Sequence, residues 1–123
     1  MAPALAMGNP VVLIPSENSP LSITDLYQVI ETSDVPAGVI NIITGASDVL
    51  AKTMAEHDGI DALWFCGSKE ASTMVENASI TNLKQTWTTR GQAFDFTDRA
   101  KFEGEYFLSR ATQVKNVWIP YGA

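Results

Sequence analysis

Ala62-Leu63-Trp64-Phe65-Cys66-Gly67-Ser68-Lys69-Glu70-Ala71-Ser72-Thr73-Met74-Val75-Glu76-Asn77-Ala78 is the stretch on which the fold turns. Four apolar residues end at Cys66-Gly67, a break that marks the end of a short buried strand. Ser68 then stands where a helix N-cap is needed, because its hydroxyl can accept from an otherwise unpaired backbone N–H. Ala71, Met74, Val75 and Ala78 follow at i, i+3, i+4 and i+7, one face of a helix. A strand runs directly into a capped helix.

The same alternation extends towards the N-terminus. Val11-Val12-Leu13-Ile14 is a short apolar run after Pro10, and residues 22–32 place Ile23, Leu26, Val29 and Ile30 on one helical face. Pro36-Ala37-Gly38 predicts a turn, and Val39-Ile40-Asn41-Ile42-Ile43 is rich in the β-branched residues that suit strands. Residues 48–56 then predict a helix through Val49, Leu50, Met54 and Ala55. Repeated strand–helix units connect by right-handed crossovers. They predict an α/β, Rossmann-like open parallel sheet with helices on both faces.

Towards the C-terminus the pattern loosens. Residues 83–89 predict a fourth strand anchored by Trp87, residues 90–98 a turn-rich passage, and residues 99–111 a helix that Gly104 weakens. Val114-Lys115-Asn116-Val117-Trp118-Ile119 reads as a last, C-terminal strand ended by Pro120. Residues 1–98 are expected to form the Rossmann-like domain, with residues 99–123 as a helix and strand of the same compact unit. At the other end, residues 1–9 read as the last turns of a helix with Gly8 near its C-cap, as in a piece of a longer protein.

Composition narrows the function. The chain has 123 residues, 46% hydrophobic and 18% charged, the make-up of a packed domain rather than a disordered one. A net charge of −6 with scattered basic residues disfavours a nucleic-acid partner. No apolar run is long enough to span a bilayer, and no secretory leader precedes the fold, so a cytoplasmic, membrane-free location is expected. The single cysteine, Cys66, excludes an intrachain disulfide. At the end of an apolar strand it reads as an inert core thiol. With one histidine as well, His57, the chain offers too few soft ligands for a metal site, and none is expected. His57, between Glu56 and Asp58, reads as a surface residue.

In an open parallel sheet, ligands gather beyond the carboxyl ends of the strands, at helix N-termini. Three such places occur: Pro15-Ser16-Glu17, Thr44-Gly45-Ala46 and Cys66-Gly67-Ser68. The last is the best phosphate candidate, because Gly67 allows close approach and Ser68 adds a hydroxyl at a helix dipole. The simpler reading of the same residues is a tight turn and a helix cap. Glu17 could accept from ribose hydroxyls or stand as a solvated carboxylate. No glycine pattern of the dinucleotide type is present, and no nucleophile, acid and base converge.

These residues carry a resemblance. Ala4-Leu5-Ala6-Met7-Gly8-Asn9-Pro10-Val11-Val12-Leu13-Ile14-Pro15-Ser16-Glu17 resembles the aldehyde dehydrogenase stretch A-L-A-x-G-N-x-V-V-x-K-P-S-E. Pro36-Ala37-Gly38-Val39-Ile40-Asn41 with Gly45 is similar to that family's P-x-G-V-x-N-x-x-x-G, and Ile60 through Ser68 to its I-D-x-x-x-F-T-G-S. Order and spacing agree over residues 2 to about 84. The family continues with L-E-L-G-G-K, whose glutamate is its general base; this chain has Thr89 near that position. A catalytic domain with its nucleophilic cysteine would come next. Instead, Ala111-Thr112-Gln113-Val114-Lys115-Asn116-Val117-Trp118-Ile119 resembles the family's C-terminal strand, which helps subunits associate. The combination is most similar to the truncated, non-catalytic C-terminal domain of family 16 aldehyde dehydrogenases, which is fused behind a full enzyme domain.

The resemblance implies NAD as cofactor, held by Glu17, Gly67 and Ser68. It also implies weak or lost affinity, because Ile14 replaces the ribose-binding lysine, a donor worth about 1.5–3 kcal/mol where it bonds a charge. Cys66 replaces a threonine and Ser72 a glycine. Without the family's cysteine and glutamate, the chain alone is expected not to oxidise aldehydes. Its expected role is assembly, with a catalytic aldehyde dehydrogenase domain or further copies of itself as partner. The alternative is a retained NAD-binding module.

Overall fold

The computed structural model describes residues 1–122. Among the described residues, six α-helices and four strands follow one another, alternating as far as α5: α1 (Ala2–Ala6), β1 (Val11–Leu13), α2 (Ser22–Glu31), β2 (Ile40–Ile42), α3 (Ser47–Glu56), β3 (Ala62–Phe65), α4 (Lys69–Ala78), β4 (Gln85–Thr88), α5 (Arg99–Phe102) and α6 (Glu105–Arg110), with a 3-10 turn at Ser79–Thr81. The α/β, Rossmann-like class is as the alternation predicts, and both strand pairings are parallel. The hydrogen-bonded ladders join β1 to β2 and β3 to β4, so the sheet is two parallel pairs rather than one continuous ladder. β1 and β2 are three residues each, which leaves little edge for a further neighbour.

The core sits on β3. Leu63 points to one face and packs with Ala51 and Ala55 of α3 and Val75 of α4, with Met54, Phe65, Met74 and Ala78 around them. Small residues on α3 let the helix approach the strand closely, and α4 presents the apolar stripe its spacing predicts. The opposite face is aromatic. Trp64 and Trp87 occupy facing positions in the β3–β4 register, and Phe107 of α6 lies 5.5 Å from each ring. Phe102 stacks on Phe107 at 5.2 Å, Phe94 lies 5.7 Å from Trp87, and Trp87 Nε1 donates to Tyr106 Oη at 3.0 Å. Residues 92–110 thus fold back as an aromatic cover, which meets the need of a parallel pair to be shielded on both faces.

Lys84 ties the two layers together. Its Nζ donates to the carbonyls of Met54, Ala55 and His57 at 3.2, 2.5 and 2.9 Å, and so caps the C-terminus of α3 with a positive charge. Asn82 Nδ2 donates to the carbonyls of Asp58 and Ile60, which pins the approach to β3.

Three expectations change. The helix over residues 99–111 is two short helices, α5 and α6, because Gly104 adopts extended backbone between them. The strand over residues 114–119 does not form: the segment joins no ladder, and Val114, Val117, Trp118 and Ile119 are exposed. A strand needs a neighbour to satisfy its backbone, and this segment pairs with none of the described strands. α5 and α6 lie against the rest of the chain, and just beyond them the carbonyls of Ala111 and Thr112 accept from Asn9 Nδ2 and Gln85 Nε2. Finally, Cys66 is exposed rather than a core thiol.

The accessible surface is 9108 Å². A folded monomer of 13.3 kDa is expected to expose about 6,500 Å². Large apolar side chains are exposed on α2, which buries no residue and shows Tyr27 and Val29 beside Leu21, in the C-terminal segment, and at Val49, Ile80, Leu83 and Phe96.

Candidate functional site

The ends of β3 and β4 meet at one turn. At the end of β3, Phe65 Cα is paired with Thr88, and the chain turns through Cys66 and Gly67 into α4. Ser68 is the N-cap: its Oγ accepts from the Ala71 N–H at 3.1 Å. The Phe65 ring folds over Gly67 so closely that a Cβ there would sit 2.4 Å from it, which is why glycine stands at this turn. The Phe65 ring thus fills the space beside Gly67, and Ser68 Oγ takes one of the free N–H groups of the α4 N-terminus.

β4 ends against the same turn. Thr89 is 5% exposed, and its Oγ1 both accepts from the Gly67 N–H and donates to the Gly67 carbonyl, each at 3.2 Å. The ladder continues through Gly91 N to Gly67 O at 2.8 Å. Arg90 and Gly91 take left-handed backbone, φ 49° and 78°. Gly91 lies against α4, where a Cβ would meet Lys69 N at 3.4 Å. Arg90 makes a two-pronged ion pair with Glu76, 3.0 and 2.7 Å, and Thr88 Oγ1 adds a bond to the same carboxylate at 2.6 Å. The Arg90 bond, then that of Thr88, holds the Glu76 carboxyl below the usual glutamate range.

Between the Gly67 turn and the returning chain is an open cleft of about 360 Å³, walled by Cys66, Gly67, Ser68, Thr89, Phe94 and Phe96. Partial desolvation pushes the Cys66 thiol up, although the residue is reached by solvent. A thiol raised by burial is a poor nucleophile.

Glu17 is elsewhere. Its Oε1 accepts from the backbone N–H of Ser47, in the first turn of α3. The N-cap of α3, Ala46, has no side chain able to cap, and Glu17 supplies the missing acceptor from thirty residues away. Gly67 and Ser68 therefore share one site at α4, while Glu17 is placed at the neighbouring helix start. His57 is exposed, with Nδ1 accepting from the Gly59 N–H. Among the described residues no cluster of three or more His, Cys, Asp or Glu could hold a metal ion. Among them, too, no helix is long and apolar enough to cross a membrane. Local spacing gave no sign of Lys84, Glu76 or Arg90 as organisers of this end of the sheet, because each acts across a tertiary contact.

The profile of the aldehyde dehydrogenase family matches residues 1–91, the whole span from α1 to the Gly67–Gly91 contact. The chain belongs to the aldehyde dehydrogenase family. It is 37% identical over 92 residues to an NADP/NAD-dependent aldehyde dehydrogenase of Escherichia coli, covering 74% of this chain and 19% of that one. Retinal dehydrogenase 2 of Homo sapiens is 40% identical over 86 residues, 69% of this chain and 17% of its own. Among solved structures, a mutant aldehyde dehydrogenase C of Pseudomonas syringae complexed with NAD+ and octanal superposes with a TM-score of 0.68 at 37% identity, over 71% of this chain and 18% of that one. The chain spans less than a fifth of each of these aldehyde dehydrogenases.

The residues fit the family's cofactor in part. At the α4 N-terminus, Gly67 and Ser68 are the residues that would face a pyrophosphate, with Ser68 Oγ engaged by the Ala71 N–H. The ribose end fits poorly: Ile14 offers no donor, and one oxygen of Glu17 is engaged by Ser47. NAD, where bound, would supply hydride chemistry; this chain's own residues would contribute only the anion contact at α4.

Proposed function

We propose that this chain is a non-catalytic, aldehyde-dehydrogenase-like domain whose role is assembly beside an NAD-dependent aldehyde dehydrogenase. It is most like the truncated C-terminal domain of family 16 aldehyde dehydrogenases, and works in the cytoplasm. The observation that carries this is Thr89. At the position where the family's general base is expected stands a buried hydroxyl wholly engaged with the Gly67 peptide. A threonine so placed can neither take a proton from water nor move towards a substrate. The one cysteine, Cys66, lies in the α4 turn with its thiol held protonated, so no activated nucleophile accompanies it. Residues 92–110 spend their aromatic side chains on covering β3 and β4. Exposed Tyr27, Val29, Val117 and Trp118 are apolar surface of the kind a domain that packs against another protein presents.

Sedimentation velocity tests the reading, with the purified chain alone and mixed with a full-length NAD-dependent aldehyde dehydrogenase. A species heavier than the monomer, or co-sedimentation with the enzyme, is expected. A chain that stays monomeric at high concentration and ignores the enzyme contradicts it. A second reading, a retained NAD-binding module, is favoured by the intact turn and cap at Gly67 and Ser68.

A further inference from the structure

Every buried residue among the described ones lies between Ala51 and Phe107, and none of residues 1–50 is buried. The β1–α2–β2 passage, residues 10–45, therefore stands outside the packed core. Its ladder joins β1 only to β2, while β3 pairs with β4 in a separate one. Among the described residues one hydrogen bond crosses from this passage to the core, the Ser47 N–H donating to Glu17 Oε1, and no ion pair does. The chain before it is held differently: α1 packs on α6, and Asn9 Nδ2 donates to the Ala111 carbonyl at 2.9 Å.

A parallel pair of three-residue strands with one helix has little stability of its own, because it closes no core. What it has comes from half-buried side chains: Val11, Leu13, Ile40 and Ile42 on one side of the pair, and Ile23, Leu26 and Ile30 along α2. α3, β3 and α4, by contrast, share the cluster of Ala51, Ala55, Leu63 and Val75. Segments with few buried apolar contacts open at lower free energy than the global transition.

We infer that residues 10–45 form a lid that opens as a unit while the core from α3 to α6 stays folded, with the Glu17 carboxylate on the first turn of α3 as its latch. The lid is fixed at one end by Asn9, tied to Ala111, and at the other by the Thr44–Ala46 link into α3. Ala46 brings no capping side chain, so the α3 N-terminus gains an acceptor only when the lid is closed. Opening also separates the candidate contacts: Glu17 leaves with the lid, whereas Gly67 and Ser68 stay with the core. The lid is independent of the assembly role proposed above.

Hydrogen exchange of the full chain, read by mass spectrometry, tests it. Amides of β1, α2 and β2 are expected to be protected, yet about a hundredfold or more less than those of β3 and α4. Val75→Ala weakens the core in the closed and the open state alike. It should therefore raise exchange in β3 and α4 by about tenfold or more and leave the lid unchanged. Thr89→Val gives the same division should Val75→Ala not fold. Glu17→Ala weakens the closed state alone, and should speed lid exchange about fivefold or more. One protection level across all four strands, or a lid that follows the core in these core variants, means a single cooperative unit and overturns the inference. A lid without protection, or one indifferent to Glu17→Ala, overturns it as well.

Discussion

Thr89 and Gly67 close on each other through both groups of the glycine peptide: the Thr89 hydroxyl accepts from Gly67 N–H and donates to Gly67 C=O, each at 3.2 Å. The end of β4 is thereby fastened to the turn that opens α4. Where the family's enzymes are expected to place a base that reaches towards substrate, this chain has a clasp. Thr89→Val keeps the shape and removes both bonds, leaving the Gly67 peptide short of a partner. A loss of about 1–3 kcal/mol is expected, read as a lower urea midpoint with an unchanged m-value.

Lys84 is a second fastening. Its ammonium group serves three carbonyls at the end of α3, so Lys84→Met should cost about 1.5–3 kcal/mol. Amide exchange should rise first in the last turn of α3, ahead of α4. Uniform loosening of both helices would show that the lysine is not a local cap.

The Glu76–Arg90–Thr88 group gives a pH signature. The folded carboxyl titrates below its unfolded value, so its contribution is fully present above the ordinary glutamate range and fades as pH falls through the lowered value. Both side chains reach solvent, and the contribution is correspondingly small. Denaturation midpoints measured from neutral pH downward should fall less steeply in Glu76→Gln than in the parent chain. Parallel curves would remove Glu76 from the account.

Cys66 tests the chemistry of the cleft. Its thiol is exposed yet pushed up by desolvation, so alkylation by iodoacetamide should be slow at neutral pH and accelerate only above the usual thiol range. A rate plateau near neutral pH would reveal an activating group and with it a functional nucleophile.

Much of this architecture is legible in local pattern. The Val11–Leu13, Ile40–Ile42 and Ala62–Phe65 strands and the helices between them follow from apolar periods of two kinds, and Ser68 announces its own helix. What escapes is whatever depends on distance in sequence. Glu17 reads as a ribose contact or a solvated carboxylate until α3 is placed beside it, and no local pattern places Lys84 among three carbonyls. Val114 to Ile119 has the composition of a strand, but a strand is a relation between two segments, and this one joins no ladder. Gly104 shows the weaker form of the same limit: it lowers helix propensity, and only the packing of Phe102 on Phe107 decides that the helix breaks there.

The central claim is that the family fold has been kept for packing, not for cofactor chemistry. A calorimetric titration of the purified chain with NAD tests it most directly. With Ile14 unable to donate to a ribose and Glu17 engaged by Ser47, no heat of binding is expected at about millimolar NAD, the range of a contact worth roughly 4 kcal/mol. One-to-one binding at micromolar NAD, abolished by Gly67→Ala or Ser68→Ala, would contradict it and make the chain a cofactor-binding module.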